Sequence, residues 1–155
     1  MKSHQTILHW IQKFPQRSNT QAAMKYQSDN GWTELSWTEY YDKIQRLAFF
    51  LQTQGLEFGQ RVAIYANTRY EWAVADLATL SLGGIIVPIY HNISNEDLEH
   101  ILNKTKVSFL IIEGRSQWRT YLRTQKEGMP DQKQPGKYVP YFRSRAGAAL
   151  AALAT

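Results

Sequence analysis

The stretch RVAIYANTRYEWAVADLATLSLGGIIVPIY, residues 61–90, decides the fold class of this chain. Residues 61–66 are predicted to form a short strand, and its residues 62–65 are a continuous apolar run, which is typical of a strand buried on both faces of a parallel sheet. The spacing of apolar residues over 68–82 predicts a helix, and the glycine pair at 83–84 ends it. A second strand is predicted at 85–90. Strand, helix and strand in this order predict a right-handed βαβ unit.

The helix of this unit has its own signals. Thr68 and Glu71 have the spacing of a capping box, in which each side chain bonds the backbone amide of the other residue. In the strand that follows, Pro88 indicates an edge or irregular position, because proline cannot donate to a ladder. The predicted apolar surface of the helix consists of Trp72, Ala73, Ala75, Leu77, Ala78 and Leu80.

The segment before this unit predicts a hairpin and a long helix. Asn30-Gly31 is a strong hairpin signal because both residues tolerate a positive φ, so we expect a hairpin at about 22–36. Ser36 and Glu39 form a first capping box, and the helix that it begins should run to about Gln54. One stripe of this helix should face the core, and it comprises Tyr40, Ile44, Leu47, Ala48 and Leu51.

The segment after the unit repeats its pattern. Ser94 and Asp97 form a weaker box closed by aspartate, with a helix near 95–104. Residues 107–113, VSFLIIE, are a third candidate for a parallel strand. Three strands alternating with helices predict an α/β fold: a partial layered sheet of mostly parallel strands, preceded by the hairpin.

The amino terminus predicts a short helix and no targeting segment. Residues 6–14 have helical spacing, with Thr6 as a candidate N-cap and Pro15 as a breaker. Residues 1–14 lack the unbroken apolar core of a signal peptide, and no apolar run in the chain approaches the roughly 20 residues that span a bilayer. Cysteine is absent, which excludes disulfides, thiolate nucleophiles and cysteine-ligated metals. We therefore expect one soluble, cytoplasmic domain.

The net charge of +5 is unevenly distributed. Residues 1–113 hold 10 Lys and Arg against 11 Asp and Glu, whereas residues 114–155 hold 8 against 2. This split predicts a boundary near residue 114, with a patterned unit at 1–113 and a divergent basic tail at 114–155. A basic tail attracts phosphates nonspecifically, but a solvated, poorly ordered end explains it more simply, and no specific nucleic-acid partner is expected.

The residues alone do not predict an active site. No G-x-G-x-x-G follows the first strand, no phosphate-binding loop motif occurs, and Asp76 falls in mid-helix instead of at a strand end. The helix starts at Thr68 and Ser94 could hold an anion, although the capping boxes already satisfy some of their amides. The histidines, which are His4, His9, His91 and His100, lack metal-ligand spacing. No catalytic, cofactor-binding or metal-binding residue is therefore assigned.

Several motifs in order resemble the amino-terminal part of AMP-forming acyl-CoA synthetases, and most of all the long-chain fatty-acid–CoA ligase branch of that adenylate-forming superfamily. The resemblance covers about residues 6–113. The motifs that carry it are W-T-x-Y at 37–40, G-x-R-V-A-I at 59–64, N-x-R-x-E-W at 67–72, V-P-I-Y at 87–90 and S-x-E-D-L-x-x-I-L-N at 94–103.

This resemblance implies the amino-terminal portion of a two-step ligase. In the family, a fatty acid and ATP form an acyl-adenylate, and CoA then takes the acyl group as a thioester. The full-length family implies ATP, Mg and CoA as cofactors and allows peripheral association with a membrane. The phosphate loop ending in P-K-G and the C-terminal domain with its lysine are missing from these 155 residues. The chain is thus expected to be an incomplete first subdomain that binds no cofactor and is inactive alone. The alternative is a non-catalytic binding module derived from the family.

The tail departs from the resemblance. From Pro135 the sequence reads PGKYVPYFRSRAGAALAALAT, where the family would place an apolar strand. One hypothesis is a shift or premature end of the reading frame near residues 130–136. The other is a genuine divergent or disordered tail.

Overall fold

A computed structural model describes residues 6–18, 20–28, 30–128 and 137–141 of the chain. None of the helices in these ranges is long and apolar enough to cross a membrane. In chain order the elements are α1 (Ile7–Ile11), a 3-10 turn (Phe14–Gln16), β1 (Met24–Ser28), β2 (Gly31–Leu35), α2 (Trp37–Thr53), β3 (Arg61–Tyr65), α3 (Tyr70–Ser81), β4 (Ile85–Ile89), α4 (Asn95–Thr105), β5 (Phe109–Glu113), α5 (Gly114–Gly128) and β6 (Lys137–Tyr141).

The main sheet confirms the predicted α/β fold. Its four strands have the order β4-β3-β5-β6, and every neighbouring pair is parallel. Ile85 on β4 pairs with Arg61 on β3, and Val62 on β3 pairs with Phe109 on β5. In the described part of the chain, β4 has a neighbour on one side alone, so the edge position indicated by Pro88 is confirmed.

Helices cover both faces of the sheet, and the strand alternation sorts residues between two cores. Val62 and Ile64 point into a core with α1, α2 and α3, whereas Ala63 and Tyr65 point into a core with α4 and α5. All four residues are at most 1% exposed. A strand buried on both faces needs an apolar residue at each position, which explains the continuous run in the sequence.

The helix α2 agrees closely with its sequence signals. The amide of Glu39 donates to Ser36 Oγ (3.2 Å), and the amide of Ser36 donates to Glu39 Oε2 (2.9 Å), so the first capping box is confirmed. The helix ends at Thr53, one residue before the predicted end. All five residues of the predicted stripe are buried. Burial of each large side chain stabilises the fold by roughly 1.5–3 kcal/mol.

The hairpin is also confirmed, with a small difference at its turn. β1 and β2 pair antiparallel, with Met24 opposite Leu35 and Ser28 opposite Gly31. Gly31 is therefore the first residue of β2, where its φ of +105° needs glycine. The ring of Tyr26 lies 4.3 Å from that of Tyr70, which connects the hairpin to the start of α3.

The second capping box, predicted from Thr68 and Glu71, is wrong. Arg69 occupies the N-cap position of α3 and makes no side-chain cap bond. The carboxylate of Glu71 accepts from the guanidinium of Arg69. The predicted apolar surface of this helix also omitted Val74 and Thr79, which are both buried.

The amino-terminal helix is shorter than its pattern predicted. α1 ends at Ile11, and Pro15 lies inside the 3-10 turn that follows. A proline in the first turn of a helix loses no hydrogen bond, so it is tolerated there. Thr6 stands at the N-cap position of α1 without a side-chain cap bond.

Among the described residues, two further elements follow residue 113. Trp118 and Tyr121 of α5 pack into the same core as α4, and β6 pairs with β5. The strand β6 lies in the stretch after Pro135, where an apolar strand of the resembling family was expected. The reading-frame hypothesis concerns residues 130–136, which lie outside the described residues.

Candidate functional site

Polar side chains meet at the carboxyl ends of β3 and β5. Open parallel sheets bind their ligands beyond this edge, so a binding or active site is expected here. Asn67 and Arg69 lie in the loop after β3, Glu71 lies in the first turn of α3, and Glu113 is the last residue of β5. We call these four residues the carboxyl-edge cluster.

Arg69 bridges two carboxylates in this cluster. Its Nε donates to Glu71 Oε2 (2.6 Å) and its Nη2 to Glu71 Oε1 (2.7 Å), which is a bidentate pair. Its Nη1 donates to Glu113 Oε1 (2.7 Å). The other oxygen of Glu113, Oε2, accepts from the backbone amide of Asn67 (2.6 Å) and from its Nδ2 (2.9 Å).

The cluster stabilises the charged forms of its members. The hydrogen bonds to Glu71 raise the pKa of Arg69; partial burial opposes this shift, and the bond to Glu113 adds to it. Burial alone would raise the pKa of Glu113. The hydrogen bonds from the Asn67 backbone, from Arg69 and from the Asn67 side chain outweigh burial, so this pKa is lowered. Both groups are charged at neutral pH.

The geometry suits a structural clamp better than a ligand site. Both oxygens of Glu113 and three guanidinium nitrogens of Arg69 already have protein partners. Two carboxylates beside Arg69 would repel a phosphate. Among the described residues, no group of three or more His, Asp or Glu is placed to hold a metal ion. The cluster instead holds the loop between β3 and α3 against the end of β5.

No pattern in the sequence predicted this clamp. Arg69 and Glu71 are two residues apart, a spacing that the capping-box pattern explained differently. Glu113 is 44 residues from Arg69, and the sheet order β3-β5 brings the two together.

The two helices whose N-termini could bind an anion already have acidic side chains in their first turns. α3 has Glu71 in its first turn, and α4 has Glu96 and Asp97. Ser94 accepts from the amide of Asp97 (3.0 Å) and donates to Asp97 Oδ2 (2.8 Å). These acids occupy the position of an incoming anion next to the helix N-terminus.

Asp76 lies in the middle of α3, as the sequence indicated, and is half-buried. Burial raises its pKa. Burial of Tyr40 on α2, with a smaller contribution from the charge of Asp76, raises the pKa of Tyr40 to about 12. Asp76 therefore lies between α2 and α3, away from the strand ends.

The exposed face of α4 has an open depression of about 480 Å³. It mixes acidic and basic side chains and includes His100; His9 and His91 are exposed elsewhere, and His4 lies outside the described residues. A solvated helix face explains this charge mixture. The residues that line the depression are Glu96, Glu99, His100, Asn103, Lys104 and Lys106.

Residues 10–148 match a protein family described as AMP-binding enzyme. The long-chain-fatty-acid–CoA ligase FadD15 of Mycobacterium bovis is 36% identical over 85 residues, which are 55% of this chain and 14% of that protein. The long-chain-fatty-acid–CoA ligase ACSBG2 of Mus musculus is 29% identical over 142 residues, which are 91% of this chain and 21% of that protein.

Solved structures share the fold at lower identity. A putative long-chain-fatty-acid CoA ligase from Rhodopseudomonas palustris superposes with a TM-score of 0.75 and 16% identity, over 98% of this chain and 36% of that one. Apo MatB from the same organism gives a TM-score of 0.65 and 17% identity, over 87% of this chain and 25% of that one. The chain therefore spans about a fifth or less of the two ligases above, and about a third or less of these two solved structures.

Proposed function

The chain belongs to the AMP-binding enzyme family, and from this membership we propose that it is the amino-terminal portion of a long-chain fatty-acid–CoA ligase. In the complete enzyme, a fatty acid and ATP would form an acyl-adenylate, and CoA would then accept the acyl group. This portion contributes scaffold to that reaction. Without the rest of the family's machinery, it is inactive as a separate chain.

The family match over residues 10–148, together with relatives named as long-chain ligases, carries this proposal. The carboxyl-edge cluster supports the scaffold role. An edge that would receive a ligand in another parallel sheet is here occupied by an ion-pair network between side chains of the protein.

ATP, Mg and CoA belong to the complete enzyme in this proposal. The carboxyl-edge cluster does not fit a nucleotide phosphate or Mg. Arg69 is shared by two carboxylates and so is poorly placed to bind a phosphate, and Glu113 has both oxygens engaged and so is poorly placed to bind a metal ion.

A pair of assays tests the proposal. The purified chain should show no ATP–pyrophosphate exchange with a long-chain fatty acid and should form no acyl-CoA. A chimaera of FadD15, in which the 85 aligned residues of this chain replace their counterparts, should retain ligase activity. Catalysis by the purified chain, or a folded chimaera without activity, would contradict the proposal.

The second candidate is a non-catalytic module that folds and binds by itself. One observation favours it: helices cover both faces of the sheet, so the described residues form two hydrophobic cores. Such a module would be monodisperse and would unfold in one cooperative transition. Its chimaera with FadD15 would have no reason to be active.

A further inference from the structure

The strand β4 lies at the open edge of the sheet, and the direction of its peptide groups can be assigned. The amide of Ile85 donates to the carbonyl of Gln60 (2.8 Å), so the polar backbone groups of Ile85 point toward β3. Peptide groups alternate along a strand. Those of Val87 and Ile89 therefore also point toward β3, and those of Ile86 and position 88 point away from it.

Position 88 is Pro88, and its side chain is exposed. On the inner side of β4 a proline would remove a ladder hydrogen bond, whereas on the outer side it removes the donor that a new strand would need. The outer edge of β4 is thus left with the N–H of Ile86 as its donor within Ile85–Ile89.

This edge would otherwise be prone to pairing. The sequence of β4 is IIVPI, Ile85 is 47% exposed, and Tyr90 just beyond the strand is 80% exposed. An exposed apolar edge strand without charge is a template for pairing with another chain. No Lys, Arg, Asp or Glu occurs within Ile85–Ile89 to prevent it.

We propose that Pro88 makes β4 a terminal edge of the sheet, and that it prevents a strand from a second copy of this chain from pairing there. The inference rests on which residues of β4 direct their backbone N–H and C=O groups toward β3, and it is independent of the proposed function.

Replacement of the proline tests the proposal. Pro88→Val supplies the missing outward donor and a β-branched side chain at an exposed position. We expect the variant to self-associate through β4, which sedimentation velocity would show as a concentration-dependent dimer. Pro15→Val is the matched control, since it removes another exposed proline that lies in the 3-10 turn, away from the sheet edge. Addition of Ile85→Lys to Pro88→Val should reverse the association, because charge on an edge opposes pairing.

The chain has no cysteine, so one introduced thiol can locate the contact. With Tyr90→Cys as background, oxidation should crosslink two copies when Pro88→Val is present and leave them uncrosslinked when Pro88 is intact. Crosslinking with Pro88 intact would overturn the proposal. So would a folded Pro88→Val variant with the same association state and crosslinking as its parent.

Hydrogen exchange on the unaltered chain tests the same point if Pro88→Val does not fold. The outward amide of Ile86 should exchange at least about tenfold faster than the amide of Val87, which faces β3, because unpaired edge amides open at little cost. Equal protection of the two amides would mean that the β4 edge is already paired, and the proposal would fail.

Discussion

Two buried threonines on helices should affect stability in opposite directions. Thr79 Oγ1 is buried without a hydrogen-bond partner, whereas Thr124 Oγ1 donates to the carbonyl of Tyr121 (2.7 Å). Thr79→Val removes a polar atom that lost its water on folding, so we expect the free energy of unfolding to rise by about 1 kcal/mol. Thr124→Val should lower it by about 1 kcal/mol. Urea denaturation of both variants measures the difference, and equal effects would show that the hydroxyl of Thr79 has a partner.

The ion pair of Arg69 with Glu113 should make stability depend on pH. The folded-state pKa of Glu113 is lowered from its ordinary value of 4.5, so its contribution is present above that value and is lost as the pH falls through the folded-state pKa. Glu113→Gln should lower the free energy of unfolding by about 1–2 kcal/mol at neutral pH, since the charge-assisted bonds are lost. The difference in the free energy of unfolding between variant and parent should become smaller below pH 4.5.

The exposed pair Lys25–Glu34 on the hairpin is the control for this experiment. Glu34→Gln should change stability by less than about 0.5 kcal/mol, because exposed ion pairs contribute little. For Glu113→Gln, the loss in the free energy of unfolding could instead stay constant from neutral to acidic pH. That result would rule out an electrostatic role for the carboxylate.

At the scale of elements, helix starts differ in how much their caps matter. Ser36 and Glu39 exchange hydrogen bonds at the start of the 17-residue helix α2, whereas Thr6 stands at the start of α1 without a side-chain bond. The same sequence signal, a hydroxyl residue before an apolar run, thus corresponds to a hydrogen-bonded N-cap at α2 and to no side-chain cap bond at α1.

Ser36→Ala should therefore lower the free energy of unfolding by about 1 kcal/mol, since an amide at the start of α2 loses its acceptor. Thr6→Ala is the matched control and should change it by a few tenths of a kcal/mol at most. Thermal and urea denaturation followed by circular dichroism compare the two variants. If Thr6→Ala were as costly as Ser36→Ala, the cap of α2 would have no special role.

At the scale of the whole molecule, several large apolar side chains remain exposed: Phe58 (88%), Tyr90 (80%), Trp32 (75%) and Phe49 (68%). Single exposed apolar residues are ordinary on a protein surface. The chain spans about a fifth or less of the ligases compared above, and under the proposed function further parts of the enzyme would cover these side chains.

If the chain is a portion of a larger enzyme, it should bind a hydrophobic dye in its folded state and tend to associate. The double variant Phe49→Ser with Phe58→Ser should reduce dye fluorescence without lowering the melting temperature, because neither side chain is in a core. A monodisperse chain that binds no dye and melts cooperatively would favour the independent module.

The local pattern of the chain determined its main elements up to residue 113 and the class of its fold. The unbroken apolar run at 62–65, the capping box at Ser36 and the Asn30-Gly31 turn each depend on neighbours in sequence, and the structure confirms a strand, a helix and a hairpin at these places. Family membership also followed from short motifs in order, because such motifs keep their spacing along the chain.

Only the tertiary structure decided which distant residues meet. Glu71 bonds Arg69 and not a backbone amide, and Glu113 joins Arg69 because β5 lies beside β3. The outward direction of Pro88 likewise depends on one hydrogen bond between Ile85 and Gln60. The order of the strands, and the side to which each residue of a strand directs its backbone groups, are set by pairing between segments far apart in sequence. The pattern of residues along one segment indicates which secondary structure that segment prefers. It does not show which distant segment or side chain will lie beside it.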